Sequence, residues 1–319
     1  MNGRLRDVAA ILCAVLFFGA GAAAFAEPSV SAPDRVVQGD ALSVVLSDAK
    51  EITEGDVTLA ATGGEEIDEA PLFRLDAKGD AAQWMALLGV PSTLPPGLYN
   101  LRVDARAPGG SFHLARTLSV EAGSFAHEEI PLGKSLSELR EEPNPQKEAQ
   151  ARELWGIITT FNLHDLYQTG DFHNPLASWI VTSPFGERRV FLYSDGSSAG
   201  SVHYGIDMAA PLGTPVHAAG EGKVAFAGSW ILTGNTVVIE HLPGVYSMYF
   251  HLNELLVKAG EMVEEGQQIG TVGMTGLATG PHLHWEVTVA GVPVSPEQLV
   301  RAGLIDKSIA SVTIDVLRP

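Results

Sequence analysis

Short runs of alternating apolar and polar residues, cut every few positions by glycine or proline, limit this chain to folds made of strands and tight turns. Tyr99, Leu101 and Val103 face one way while Asn100, Arg102 and Asp104 face the other, and the apolar runs at 42–46 and 57–59 are as short. Turn signals separate such runs at Gly63-Gly64, Lys78-Gly79-Asp80, Pro95-Pro96-Gly97 and Pro108-Gly109-Gly110. About seven strands, each with one buried face, predict a small immunoglobulin-like β-sandwich over 27–122. His113 and His127 stand alone in this part and read as surface residues. With 34 Gly, 19 Pro and only 18% charged residues, the 319-residue chain as a whole is expected to be mostly β and to form about two domains.

Charge and the N-terminus narrow the setting. There are 38 acidic against 20 basic residues, a formal net charge of -18, which repels phosphate backbones and anionic membrane surfaces; no nucleic-acid partner is expected. Arg4 and Arg6 precede an unbroken apolar run over 8–18, and small residues lead to Ala24-Phe25-Ala26. That pattern is a secretory signal peptide over 1–26, cleaved before Glu27, which sends the protein to the periplasm or beyond with no membrane attachment afterwards. The alternative is an uncleaved anchor, because 8–26 approaches the ~20 residues that span a bilayer. Cys13, the one cysteine, lies inside this segment, so the exported chain has no thiol. Any metal site there must use His, Asp or Glu.

Residues 123–175 read as a linker with a helix. Glu128-Glu129, Glu141-Glu142 and Pro143 mark the linker, Asn144 can cap the helix, and Pro145 can occupy its first turn. Ala151, Leu154, Trp155, Ile158 and Phe161 recur at helical spacing, predicting one face packed on a neighbouring domain. Strands return from Ile180, at 222–227, 236–240, 246–250, 268–272 and 282–289, as in an antiparallel sheet folded on itself. This second domain is expected over 176–300, followed by a tail at 301–319.

Six of the ten histidines fall between His203 and His284. Two clusters stand out: His203-x-x-x-Asp207, and His282-x-His284, whose two imidazoles share one face of an extended strand. Two imidazoles and a carboxylate form a three-ligand set that leaves tetrahedral zinc a fourth position for water, the arrangement of catalytic rather than structural sites. Spacing alone does not decide which of His203, His251, His282 and His284 bind metal and which serve as acid or base.

The segments SPFGERR, HYGIDMAAPLGTPV, GNTVVIEH, MYFHL, VKAGEMVEEGQQIGTVGMTG and TGPHLHWEV occur in that order over 183–296, about a third of the chain. This region resembles the lysostaphin-type (LytM-like) zinc endopeptidases, which cut peptide bridges of bacterial peptidoglycan. The resemblance implies that His203, Asp207 and His284 are zinc ligands, that His251 and His282 flank the metal as catalytic histidines, and that peptidoglycan peptides are the substrate. It further implies metal-activated water attacking an amide, with a neutral imidazole accepting its proton. A different class remains open, a non-catalytic module that binds the wall or activates other wall hydrolases; the filled five-residue set favours the enzyme. A third reading, a lipoyl- or biotinyl-type carrier suggested by VKAGEMVEEGQQIG, lacks the M-K-M context of a modifiable lysine.

The remaining candidates have plainer expectations. His241 and His217 read as structural or surface residues. Glu286 shares a strand face with His284 and can either orient its imidazole or pair across strands. The loop over 190–201 is expected to be flexible and to form one wall of a substrate groove.

Overall fold

The computed structural model describes residues 29–304 apart from 48, 50, 51, 76–82, 109 and 169. The signal segment, the Lys78-Gly79-Asp80 turn and the tail beyond 304 lie outside the described residues. Mostly β architecture is observed throughout, and no described helix is long and apolar enough to cross a membrane.

The first half consists of β1 (Ser29–Ser31), β2 (Arg35–Val37), β3 (Ala41–Ser47), β4 (Glu54–Ala61), β5 (Glu66–Pro71), β6 (Phe73–Leu75), β7 (Gln83–Gly89), β8 (Gly97–Ala107) and β9 (Gly110–Glu121). They form a four-stranded sheet, β1-β3-β7-β6, and a five-stranded sheet, β2-β9-β8-β4-β5. The alternation read from sequence is realised in β8, where Tyr99, Leu101, Val103 and Ala105 are buried between partly or fully exposed neighbours. One expectation is corrected: β3 and β7 bury both faces. Val44, Leu46, Ala86 and Leu88 join the core between the two sheets, whereas Val45, Met85 and Leu87 join the core of the second half. The continuous apolar run at 42–46 therefore marks a strand sandwiched on both sides, for which period two vanishes. The two halves share an apolar interface. At Gly39, with φ +86°, Phe185 stands where a side chain would be.

The connecting region holds more than one helix. It runs through β10 (His127–Pro131), α1 (Lys134–Glu141) and α2 (Pro145–Ile158). The Asn144 side chain caps α2 by accepting from Gln146 N, as its sequence predicts. Leu154, Ile157 and Ile158 pack on Val238, Tyr246, Met248 and Phe250, but Trp155 is 60% exposed and does not belong to the packed face.

The second half continues with β11 (Ile180–Ser183), β12 (Arg188–Leu192), β13 (Ser198–Val202), β14 (Gly205–Ala209), β15 (Pro215–His217), β16 (Gly222–Trp230), β17 (Gly234–Leu242), β18 (Val245–Leu252), β19 (Glu254–Leu255), β20 (Met262–Val263), β21 (Gln268–Thr271), β22 (His282–Val289), β23 (Val292–Val294) and α3 (Pro296–Ala302). An antiparallel sheet in the order β11-β14-β22-β18-β17-β16-β20, with β23 added to β22, is its centre. After a register shift at His241, Leu242 pairs with Val245 across a two-residue loop in which Gly244 adopts φ +73°. The segment 190–201 is not a flexible loop: β12 and β13 form a regular hairpin across it, and β10 adds to β12 in parallel.

Candidate metal and active site

Asp207 on β14 lies directly opposite His284 on β22, and Phe250 on β18 faces His284 from the other side. Strand alternation sends Ile206, Met208, Leu283 and Trp285 into the core, so Asp207, His282, His284 and Glu286 emerge on the opposite face. His203 enters from the turn between β13 and β14, its backbone N–H bonded to the Glu187 carbonyl at 2.9 Å.

Three polar atoms converge. His203 Nε2, His284 Nδ1 and Asp207 Oδ1 form a triangle with sides of 2.9, 2.8 and 3.0 Å. The outward contacts of the rings decide where their protons sit. His203 Nδ1 is 2.9 Å from the Pro184 carbonyl, which only accepts, so Nδ1 carries the proton and Nε2 turns a lone pair inward. His284 Nε2 is 3.3 Å from the Glu286 carboxylate, which in the same way leaves Nδ1 free to point inward. Three lone-pair donors facing one another at under about 3 Å repel unless positive charge lies among them. These atoms can together hold one cation, and they are the metal-competent cluster found among the described residues.

The acid–base balance agrees. Burial works against ionising Asp207, yet its close contacts with the His203 and His284 imidazoles, once a proton is shared among the three atoms, hold its carboxyl well below the usual carboxylate range. Burial lowers His284, but the carboxylates of Asp207 and Glu286 outweigh it and raise the imidazole to about 9. The triangle thus draws in a positive charge, whether a proton or a metal ion.

The other two histidines stand beside this triangle. His251, next to last in β18, has φ +62°, a left-handed conformation rare outside glycine and held here by surrounding contacts. Its Nδ1 donates to the Thr275 carbonyl at 2.8 Å, and His282 Nδ1 donates to the Gly280 carbonyl at 2.9 Å, so each ring keeps a free Nε2. Their centroids are 4.8 Å apart, and His282 Nε2 is 3.7 Å from Asp207 Oδ1. Burial, reinforced by neighbouring His282 and His284, pushes His251 down to about 3, which keeps it a neutral imidazole near pH 7. All five sequence-selected residues are therefore neighbours. His241 is not among them: it is fully buried, bonded to the Glu221 carbonyl and Ser247 hydroxyl, and lowered by burial to about 4. His217 lies on β15, apart from the cluster. Glu286 lies against the outward nitrogen of His284, at 3.3 Å.

A groove of about 500 Å3 opens onto His251, His282 and His284. Its wall includes Arg189, Phe191 and Ser201 of the β12–β13 hairpin, in the place given to it by sequence although not as a loop. The linker also contributes, through Glu128 and Ile130 of β10 and Leu136 and Arg140 of α1, which sequence reasoning missed. Arg189, the last residue of the SPFGERR segment, binds the second oxygen of Asp207 through its guanidinium at 2.8 Å.

Comparison with known proteins assigns this region. Residues 201–296 match the model described as peptidase family M23. This stretch is M23-like. That M23-like domain is similar to the peptidoglycan DD-endopeptidase ShyA of Vibrio cholerae, 41% identical over 119 residues, which are 37% of this chain and 27% of that protein. It is likewise similar to the DD-carboxypeptidase/endopeptidase Mpg of Neisseria meningitidis, 42% identical over 132 residues, or 41% and 30% of the two chains. The chain thus spans less than a third of the length of these curated relatives. A solved structure from Pseudomonas aeruginosa described as an M23 peptidase aligns over 84% of this chain and 96% of its own, with 26% identity and a TM-score of 0.58. The likeness to that structure extends beyond the M23-like domain.

Gly205, at the start of β14, marks how closely the M23-like domain packs its candidate ligands. A Cβ there would lie 2.6 Å from both His284 Nε2 and the Trp285 carbonyl. Gly205→Ala should displace the His284 ring and cost about 1–3 kcal/mol of stability through overpacking. Metal titration and denaturant unfolding of the variant check this: weaker metal binding together with a lower midpoint is expected.

Proposed function

We propose that the chain is a zinc endopeptidase that hydrolyses peptide cross-links or stem-peptide bonds of bacterial peptidoglycan. The observation that carries this reading is the triangle of His203 Nε2, Asp207 Oδ1 and His284 Nδ1, three inward lone pairs inside an M23-like domain and beside a groove. Tetrahedral zinc with ligand bonds of ~2.0–2.2 Å needs donors roughly 3.3–3.6 Å apart, so the three atoms fit it after an outward shift of a few tenths of an ångström. His203, Asp207 and His284 would hold the zinc, which when bound would supply Lewis-acid activation of water and carbonyl at neutral pH.

The chain's own groups do the rest. His251 Nε2, kept neutral by burial, accepts a proton from the attacking water. The imidazolium so formed returns that proton to the departing amine and its charge stabilises the developing oxyanion, while His282, its ring fixed by the bond from its Nδ1 to the Gly280 carbonyl, offers a second free Nε2 as proton acceptor. The linker strand β10 and helix α1 line the groove in which the peptide lies. Such a substrate lies outside the cytoplasm, in keeping with an export signal over 1–26. In the same proposal 27–122 forms a β-sandwich unit, 123–175 a linker and 176–300 the peptidase unit.

Mass spectrometry of muropeptides released from isolated sacculi tests this reading. New peptide termini should appear with the zinc-loaded protein and vanish with a chelator. Zinc uptake without any release would contradict it and favour the wall-binding or regulatory alternative.

A further inference from the structure

Asp207 has two oxygens, and only one faces the histidines. Oδ1 points at His203 Nε2 and His284 Nδ1, while Oδ2 accepts from Arg189 Nη2 at 2.8 Å. The same guanidinium donates from Nε to Glu187 Oε2 at 2.9 Å. These side chains are 12%, 13% and 5% exposed for Asp207, Arg189 and Glu187, so solvent screens the contacts little. Backbone pairing fixes the brace from outside: β12, which carries Arg189, is held between β10 and β13, and the Glu187 carbonyl accepts from His203 N. A planar guanidinium can serve two carboxylates in fixed directions at once, which a lysine ammonium on a flexible stem does not reproduce.

Resting on the metal centre proposed above, we infer that Arg189 is the positioning residue that keeps Asp207 a one-oxygen ligand by occupying Oδ2, with Glu187 holding Arg189 in place. Carboxylates bind metal ions through one or both oxygens. With Oδ2 unoccupied, the buried oxygen has either to turn toward the cation or to stay without a partner. Engaging both oxygens would fill the coordination position that a catalytic zinc leaves for water. The brace therefore protects that position without touching substrate.

The test uses the full chain in three forms: wild type, Arg189→Lys, and the double variant Glu187→Gln/Arg189→Met. The double variant removes both outer charges and so leaves no buried Glu187 charge unpaired. Zinc alone is the probe, with affinity read by competition against a chromophoric chelator, ligand number by X-ray absorption at the zinc edge, and melting temperature measured without metal. Expected are a one-oxygen carboxylate signature in the wild type, zinc binding weakened by roughly 10- to 100-fold in the variants, and an added oxygen in their zinc shells. Wild-type affinity and an unchanged zinc shell in both variants, even with a lower melting temperature, would overturn the inference and leave the metal centre standing. Failure of the wild type itself to take up zinc would instead remove the metal-centre reading on which it rests.

Discussion

His251→Ala is expected to abolish hydrolysis while the zinc content stays near that of the wild type. The imidazole stands next to the His203–Asp207–His284 triangle but supplies none of its three atoms. Its ring centroid is 6.2 Å from that of His284, and its Nδ1 is committed to the Thr275 carbonyl. What the substitution removes is a neutral base, and general-base groups contribute roughly 10²- to 10⁴-fold to rate. The loss should appear in kcat, since the residue acts on the reacting proton. Zinc analysis alongside turnover of a peptide substrate checks it. Near-normal turnover would show that the proton goes elsewhere, with His282 the obvious heir, and loss of zinc would show that His251 belongs to the metal site.

His203→Ala should have the opposite profile, losing metal and activity together. His203 is 3% exposed and supplies one corner of the triangle, so its removal leaves two donors and a buried gap in place of an imidazole. Loss of a direct ligand should exceed the 10- to 100-fold penalty typical of groups that only orient ligands. Dialysis against buffered zinc followed by elemental analysis is the direct measurement, with circular dichroism to verify the fold. Retention of one tightly held zinc by a folded His203→Ala protein would exclude His203 as a ligand. The contrast between this variant and His251→Ala separates binding from proton transfer, which activity measurements alone do not.

Much of the site was legible in the sequence because its geometry is local. His282-x-His284 on a strand must share a face, and Asp207, four residues after His203, needs only a short turn to return to it. The structure adds what periodicity does not encode, the register that sets Asp207 opposite His284. The features that were missed depend on long-range contacts. β10 reads as linker because its five residues, HEEIP, begin with three charged or polar side chains and are mostly exposed, and only pairing with β12 makes them a strand. Trp155 matches the helical spacing of a packed face, yet the surface available to α2 is covered by Leu154, Ile157 and Ile158. The brace through Arg189 is invisible for the same reason: nothing near it in sequence announces that its partner is Asp207, 18 residues away. In the first half, period two identified β8 but not the double burial of β3 and β7, which follows from their packing against a second core.

Anomalous diffraction at the zinc edge, from crystals of the full chain reconstituted with one equivalent of zinc, tests the central claim most directly. A single strong peak within ~2.0–2.2 Å of His203 Nε2, Asp207 Oδ1 and His284 Nδ1 is the predicted result. A fully reconstituted protein with no peak there, or with those three side chains turned apart, would contradict the account.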